Sequence, residues 1–337
     1  MIRLRLKWNG LGAASVATAL LLSSCQSTWY GQAVRGQVEL LKMARPAAEV
    51  ISDPETSDDV SKRLKLVQQL LEFAESNLEL PHDGNYSSYV DLDREAVMWA
   101  VYASTEFDIA PVEWRAPVVG KISYRGYFKK EDAEAFAENL RTHRGLETAI
   151  VPVPAYSTLG WFRDPILSTF LDYDEADLAA LIFHELTHKK FYVAGDTEFN
   201  EALAVAVEQE GVRRWLTSRG EFEALAAYEK QQANLMDFVK RLLDLRQKLH
   251  LLYSIETSPE RMRASKQRMF GELQSEIREK LRDAGKDADD TFWLRDDLNN
   301  AHLNLAAVYF LRVPEFQAEL QAVDGDLVVF FKRLSDR

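Results

Sequence analysis

Two apolar helical runs near the middle of the chain carry ionisable groups where a core would have none, and this constrains the fold more than anything else. The first runs from Asp174 to Phe191 and contains His184-Glu185-Leu186-Thr187-His188. Leu178, Ile182 and Leu186 recur at helix spacing and predict one buried face. His184 and His188 are four residues apart, so both imidazoles leave the same side of the helix, one turn apart. Two ring nitrogens so related can reach one ion at about 2.0–2.1 Å. Glu185 stands beside that position, where a carboxylate can take a proton from activated water. The second run follows a turn and cap at Gly195-Asp196-Thr197 and reads Glu198-Phe199-Asn200-Glu201-Ala202-Leu203-Ala204-Val205-Ala206-Val207-Glu208. Glu201 and Glu208 lie two turns apart on one face, among Ala, Leu and Val. A carboxylate in such surroundings is costly unless something positive faces it. Either could supply the third protein ligand that a catalytic zinc usually takes.

The flanks are readable more coarsely. Helices are expected over Trp29–Arg45 and Asp58–Leu78, the second capped by Asp58 or Asp59. Strands are expected over Glu95–Thr105, Val118–Tyr124 and Glu147–Pro154. A helix over Lys130–His143, closed by Gly145, lies between the last two, which suggests a crossover unit in a small sheet. Tyr228, Leu235, Leu242 and Leu249 repeat every seven residues, with Phe238, Leu245 and Leu252 three places on. Ser258-Pro259 breaks this run, and Met269, Leu273, Ile277 and Leu281 continue it. An antiparallel helical hairpin that packs on itself and on the body is expected. The chain is 47% apolar with a formal charge of −12, so it lacks the basic surplus that nucleic-acid binding needs.

The N-terminus reads as a leader. Arg3, Arg5 and Lys7 precede an apolar stretch from Leu11 to Leu22, and Leu22-Ser23-Ser24-Cys25 follows. About 12 apolar residues are too few to span ~30 Å of hydrocarbon as a helix. Cys25 is the chain's single cysteine, and the four residues ending in it resemble a bacterial lipobox. The resemblance implies a signal peptide over 1–24, lipidation at Cys25 and a membrane contact through that lipid. Gln26, by resemblance to bacterial sorting rules, implies the periplasmic face of the outer membrane.

His184-Glu-Leu-Thr-His188 followed by Asn200-Glu201-Ala202-Leu203-Ala204 resembles the gluzincin metallopeptidases. That resemblance implies zinc held by His184, His188 and Glu201, with Glu185 as the base. Twelve residues separate His188 from Glu201, a shorter linker than in those families. Glu208 fits the longer spacing by count, but its neighbours do not match; it can instead orient a ligand histidine, with Asn200 a second supporting residue. A broader resemblance rests on Tyr30-Gly-Gln-Ala-Val-Arg-Gly-Gln37, Tyr124-Arg-Gly-Tyr-Phe128, Ala155-Tyr-Ser-Thr-Leu-Gly-Trp-Phe162, Asp164-Pro165 and Asp196-Thr-Glu-Phe-Asn-Glu201. These together are similar to a bacterial family of zinc aminopeptidase lipoproteins, which implies hydrolysis of peptide bonds in the envelope.

The expectation is therefore an α+β, mostly helical chain: a zincin-like metallopeptidase domain with a small mixed sheet over 25–220, and a C-terminal helical region over 221–337 packed on it. Zn2+ is the expected cofactor and a peptide or protein the substrate. Tyr156 and Tyr192 lead the candidates for stabilising an oxyanion, ahead of Tyr124, Arg125, Tyr127 and His302. His302, at helical spacing with Leu298 and Leu305, reads more readily as a packed core histidine. Residues 155–159 form either an edge strand for an extended substrate or an ordinary exit from a strand. Two alternatives remain: an endopeptidase, and a non-catalytic lipoprotein with a structural metal whose C-terminal helices bind an envelope partner. Structural zinc usually takes four protein ligands, often Cys, and the mature chain offers no such thiol.

Overall fold

The computed structural model describes residues 29–116, 120–158, 162–283, 285 and 292–336. The leader, Cys25, Pro117–Val119 and Leu159–Trp161 lie outside the described residues. Residues 29–43 form a helix, α1, in a unit of its own. The second unit runs from Ala44 to Arg337.

That unit opens with a short strand, β1 (Arg45–Pro46), and a short helix, α2 (Ala47–Ser52). Helix α3 (Asp58–Asn77) follows, with Leu64, Val67, Leu71 and Ala74 buried as the spacing predicts. Its cap is Ser57, whose hydroxyl accepts from the Val60 N–H, and the two aspartates occupy the first turn instead. There they favour the helix dipole rather than the terminal N–H groups.

Three small sheets replace the single mixed sheet that was expected. β1, β2 (Ser88–Val90) and β8 (Ile166–Leu167) form one of mixed sense. β4 (Trp114–Ala116) and β5 (Gly120–Ile122) form a hairpin. The third has the order β6 (Tyr124–Tyr127), β3 (Met98–Ser104), β7 (Glu147–Val153), antiparallel throughout. β6 and β7 are therefore parallel to each other, joined by α4 (Lys130–Arg144) with β3 between them. The expected crossover is present, wrapped around a central strand. Gly145 closes α4 in the left-handed region at φ 61°. Strand alternation then decides which residues face which helix. Ala100, Tyr102 and Tyr124 turn toward α10 (Asn300–Phe310), packing with Ala301 and Leu305. Trp99 pairs with Tyr127 and Val101 with Arg125 on the other face, toward α4.

From Asp174 onward the described chain is helical, apart from turns. Short α5 (Ser168–Leu171) leads to α6 (Glu175–Lys190), capped by Asp174, and α7 (Thr197–Ser218), capped by Asp196. Residues 199–207 of α7 are buried on every side, which makes it the central helix. Gly211 lets α6 approach it: a Cβ there would lie 2.6 Å from a Phe183 ring carbon. α8 (Phe222–Tyr253) and α9 (Pro259–Asp283) carry the seven-residue repeat. Leu242, Leu245 and Leu249 pack on Phe270, Leu273 and Ile277 across the pair, and on Leu303 and Ala306 of α10. Leu235, also on the repeat, is exposed instead. A single 3-10 turn (Phe292–Leu294), α11 (Val313–Gln321) and α12 (Leu327–Ser335) complete the described chain.

Candidate metal centre

α6 and α7 meet along their polar-bearing faces. His184 Nε2 lies 3.1 Å from His188 Nε2 and 3.1 Å from Glu201 Oε2, and His188 Nε2 is 3.5 Å from the same carboxylate oxygen. Three donor atoms from two helices thus converge on one point, and these residues form a group that could hold a metal ion. Two imidazoles and a carboxylate, with no thiolate, suit a borderline divalent cation. The surroundings fit that use. Among the described residues, His188 Nδ1 is buried without a hydrogen-bond partner, and so is Glu185 Oε2 beside the donors.

Glu208 holds the other edge of His184: its Oε2 is 2.7 Å from Nδ1. A carboxylate there fixes the ring so that Nε2 faces Glu201 and His188. Asn200 acts on the linker. Its Nδ2 donates to the Val193 carbonyl and its Oδ1 accepts from the Val193 N–H, each at 2.8 Å. This double clasp folds the short linker back on α7, so the twelve-residue spacing still brings Glu201 to the two histidines.

Electrostatics separate the three glutamates. Burial alone would raise the Glu201 carboxyl, but His188 and His184 hold it far below the ordinary carboxylate range. Burial raises both Glu208 and Glu185, with the histidines opposing it in each case. Burial would lower the His184 imidazolium, but Glu201 and Glu208 raise it well above its usual value.

Tyrosines surround Glu201. Burial first, then the Glu201 charge, raises the phenols of Tyr124 and Tyr192. The same causes, with the neighbouring tyrosines, raise Tyr102 and Tyr309. All four stay protonated near neutral pH and can donate a hydrogen bond. Tyr192 stands nearly perpendicular to His188, ring centroids 6.4 Å apart. Tyr309 lies 6.2 Å from the His184 ring. The sequence reading did not single out Tyr309 or Tyr102. Its available signal was Tyr309 within the apolar run Leu305-Ala306-Ala307-Val308, since a buried phenol needs a polar partner.

Other candidates stand elsewhere. Arg125 and Tyr127 occupy the far face of the sheet, with the Arg125 guanidinium 5.1 Å and the Tyr127 ring 5.4 Å from the Phe136 ring centroid on α4. The Tyr156 ring packs on Phe128 at 5.8 Å, near the charges of Asp164 and Arg94. His302 is fully buried and closes the capping box of α10 with Asn299.

The family whose model matches residues 28–336 is described as "Putative aminopeptidase". The chain belongs to that family. No curated protein and no solved structure matches it. The match spans α1 to α12, so the C-terminal helices belong to the aminopeptidase-family unit as much as the His-Glu pair does.

The packed His302 gives this family member a pH signature distinct from that of the candidate metal centre. Burial, helped by Arg295, lowers the imidazole to about 4 against an ordinary value of 6.5. The unfolded chain binds the extra proton between those values, so folding stability is complete above pH 6.5 and falls as pH drops toward 4. The expected loss is about 3 kcal/mol. Urea titrations across this window should show that slope, and His302→Gln, which keeps a capping-box side chain, should flatten it.

Proposed function

We propose that this chain is a zinc-dependent peptidase that removes residues from free peptide N-termini, with a zincin-like catalytic region over 25–220 and helices over 221–337 packed on it. The carrying observation is the convergence of His184 Nε2, His188 Nε2 and Glu201 Oε2, with the Glu185 carboxylate buried and partly unpartnered beside them. The family's name supports the exopeptidase direction. His184, His188 and Glu201 would hold the ion, and Glu208 would keep His184 in the required orientation. When bound, zinc supplies Lewis acidity, which acidifies water and polarises a carbonyl.

Everything else falls to the protein. Glu185 takes the proton of the attacking water and passes it to the leaving amine; its burial-raised carboxyl suits both directions of transfer. The neutral phenols of Tyr192, Tyr124 and Tyr309 supply the donors that a developing oxyanion needs. Tyr156, whose phenol burial also keeps neutral, is a further donor that this reading assigns to the oxyanion. Lipidation at Cys25 and an outer-membrane location complete the reading, supported by the leader's layout. Among the described residues, no helix is long and apolar enough to cross a membrane.

The test is metal content together with hydrolysis of a pool of free and N-acetylated peptides, using the chain without its leader. One zinc per chain and cleavage of free peptides alone is the expected result. Cleavage of blocked peptides would replace the exopeptidase reading with an endopeptidase. Bound metal without cleavage would favour a scaffold, and absence of metal would overturn the centre.

A further inference from the structure

A chain of contacts leaves the metal-bearing helix and ends at the segment after β7. Lys189, next to His188, donates to Asp83 Oδ2 at 2.5 Å and to the Pro81 carbonyl at 3.3 Å. The loop it grips is strained. Glu79, Asp83 and Tyr86 have φ of 59°, 46° and 59°, and Gly84 lies at 84°. A bulky aromatic residue in that region is strained and persists only where its surroundings force it. Tyr86 is buried, with the Glu185 and Asp164 charges both acting on its phenol.

What holds Tyr86 there is the main chain of Asp164, which the carboxylate in turn fixes from the other side. The Tyr86 N–H donates to the Asp164 carbonyl at 2.7 Å, and the Asp164 N–H donates to Asn85 Oδ1 at 3.3 Å. The Arg163 side chain lies over Gly84, where a Cβ would meet its Nε at 3.1 Å. The Asp164 carboxylate is buried and reaches the other way. It accepts from the Thr158 N–H at 3.0 Å, the Thr158 hydroxyl at 2.6 Å and the Ser157 hydroxyl at 3.5 Å. With those bonds made, it is committed to the wall and is not free to take a substrate ammonium.

We propose that Asp164 is a positioning residue whose main chain holds the strained loop 79–86 while its carboxylate holds Ser157 and Thr158, and that this clasp, joined to α6 through Lys189, sets where the two segments stand against the substrate. The proposal rests on the peptidase reading for its consequence, but the clasp itself is testable without activity. A misplacement of about 1 Å at such a wall can cost 10²-fold in rate.

Thr158→Val removes, at a partly exposed position, a hydroxyl that bonds Asp164 Oδ1 and the Phe162 main chain. Thr158→Ser restores it. The expected result is a KM raised about tenfold or more in Thr158→Val, recovered in Thr158→Ser, with unchanged metal content. Asp164→Asn should lower kcat about tenfold or more and speed amide exchange in residues 83–87 and 155–158 together, leaving α6 and α7 protected. Exchange rising in only one of the two segments, or in neither, would overturn the clasp. So would wild-type kinetics in a folded Asp164→Asn chain, or loss of metal in either variant, which would make Asp164 part of the general fold. If the wild type hydrolyses nothing, the peptidase reading fails alone, and the exchange measurement still decides the clasp.

Discussion

Glu185→Gln is expected to lower peptide hydrolysis by about 10²–10⁴-fold while metal content and melting temperature stay at the wild-type level. The carboxylate is not one of the three converging donors, so removing its charge leaves the ion's holders intact. Glutamine keeps the shape and a hydrogen-bonding end in the same buried space, so packing on α6 is preserved. What it cannot do is accept and return a proton. Zinc content by elemental analysis, read beside kcat on a free-N-terminus peptide, separates the outcomes. Substantial activity in Glu185→Gln would place the base elsewhere, and metal loss would make Glu185 a ligand.

The second large effect lies on α9, outside the candidate metal centre. Lys266→Ala should destabilise the fold by about 3–5 kcal/mol, because it strips the partner from a buried carboxylate. Lys266 on α9 is buried. Its ammonium pairs with Glu147 at the start of β7 and donates to the Glu106 carbonyl at 2.9 Å. Glu147 also accepts from the Asn300 N–H at 3.0 Å, which opens α10, and Tyr253 at the end of α8 donates to Asn300 Oδ1 at 2.9 Å. Four elements close on one polar knot. Burial lowers the lysine and raises the glutamate, so each charge depends on the other. Lys266→Ala with Glu147→Gln should recover much of the loss, since the amide oxygen still accepts from Asn300. Chemical denaturation of the single and double variants measures this coupling. A single variant within 1 kcal/mol of wild type would deny the knot its role.

The grouping of His184, His188 and Glu201 was legible because helix periodicity is a strong local rule. The four-residue step from His184 to His188 and the apolar setting of Glu201 each carry their geometry in the sequence. The shortened linker was legible as a length but not as a shape, since the Asn200–Val193 clasp is a side-chain contact that periodicity does not encode. The sheet shows the limit more sharply. Tyr124, Arg125 and Tyr127 were equal candidates along one strand, yet alternation sends Tyr124 toward Glu201 and the other two toward α4. Deciding between the faces required knowing that α10, about 180 residues later, covers one of them. Tyr309 was hidden for the same reason. Its helix reads as core, and only the tertiary placement of α10 brings the phenol to His184. The cap of α3 failed differently, because Ser57, Asp58 and Asp59 are all good capping residues.

The Asn200 clasp also bears on how such a chain tolerates change. By taking both backbone groups of Val193, Asn200 closes residues 193–200 into a ring whose two ends are fixed to each other. The spacing of His188 and Glu201 is then held by that closure and not by the number of residues inside it. An insertion at 194–196 would press on Gly120 of the β4–β5 hairpin, which already sits so close that a Cβ there would lie 2.9 Å from the Gly195 nitrogen. Length variation at this point is thereby felt first by the hairpin contact, and only after it by His188 and Glu201.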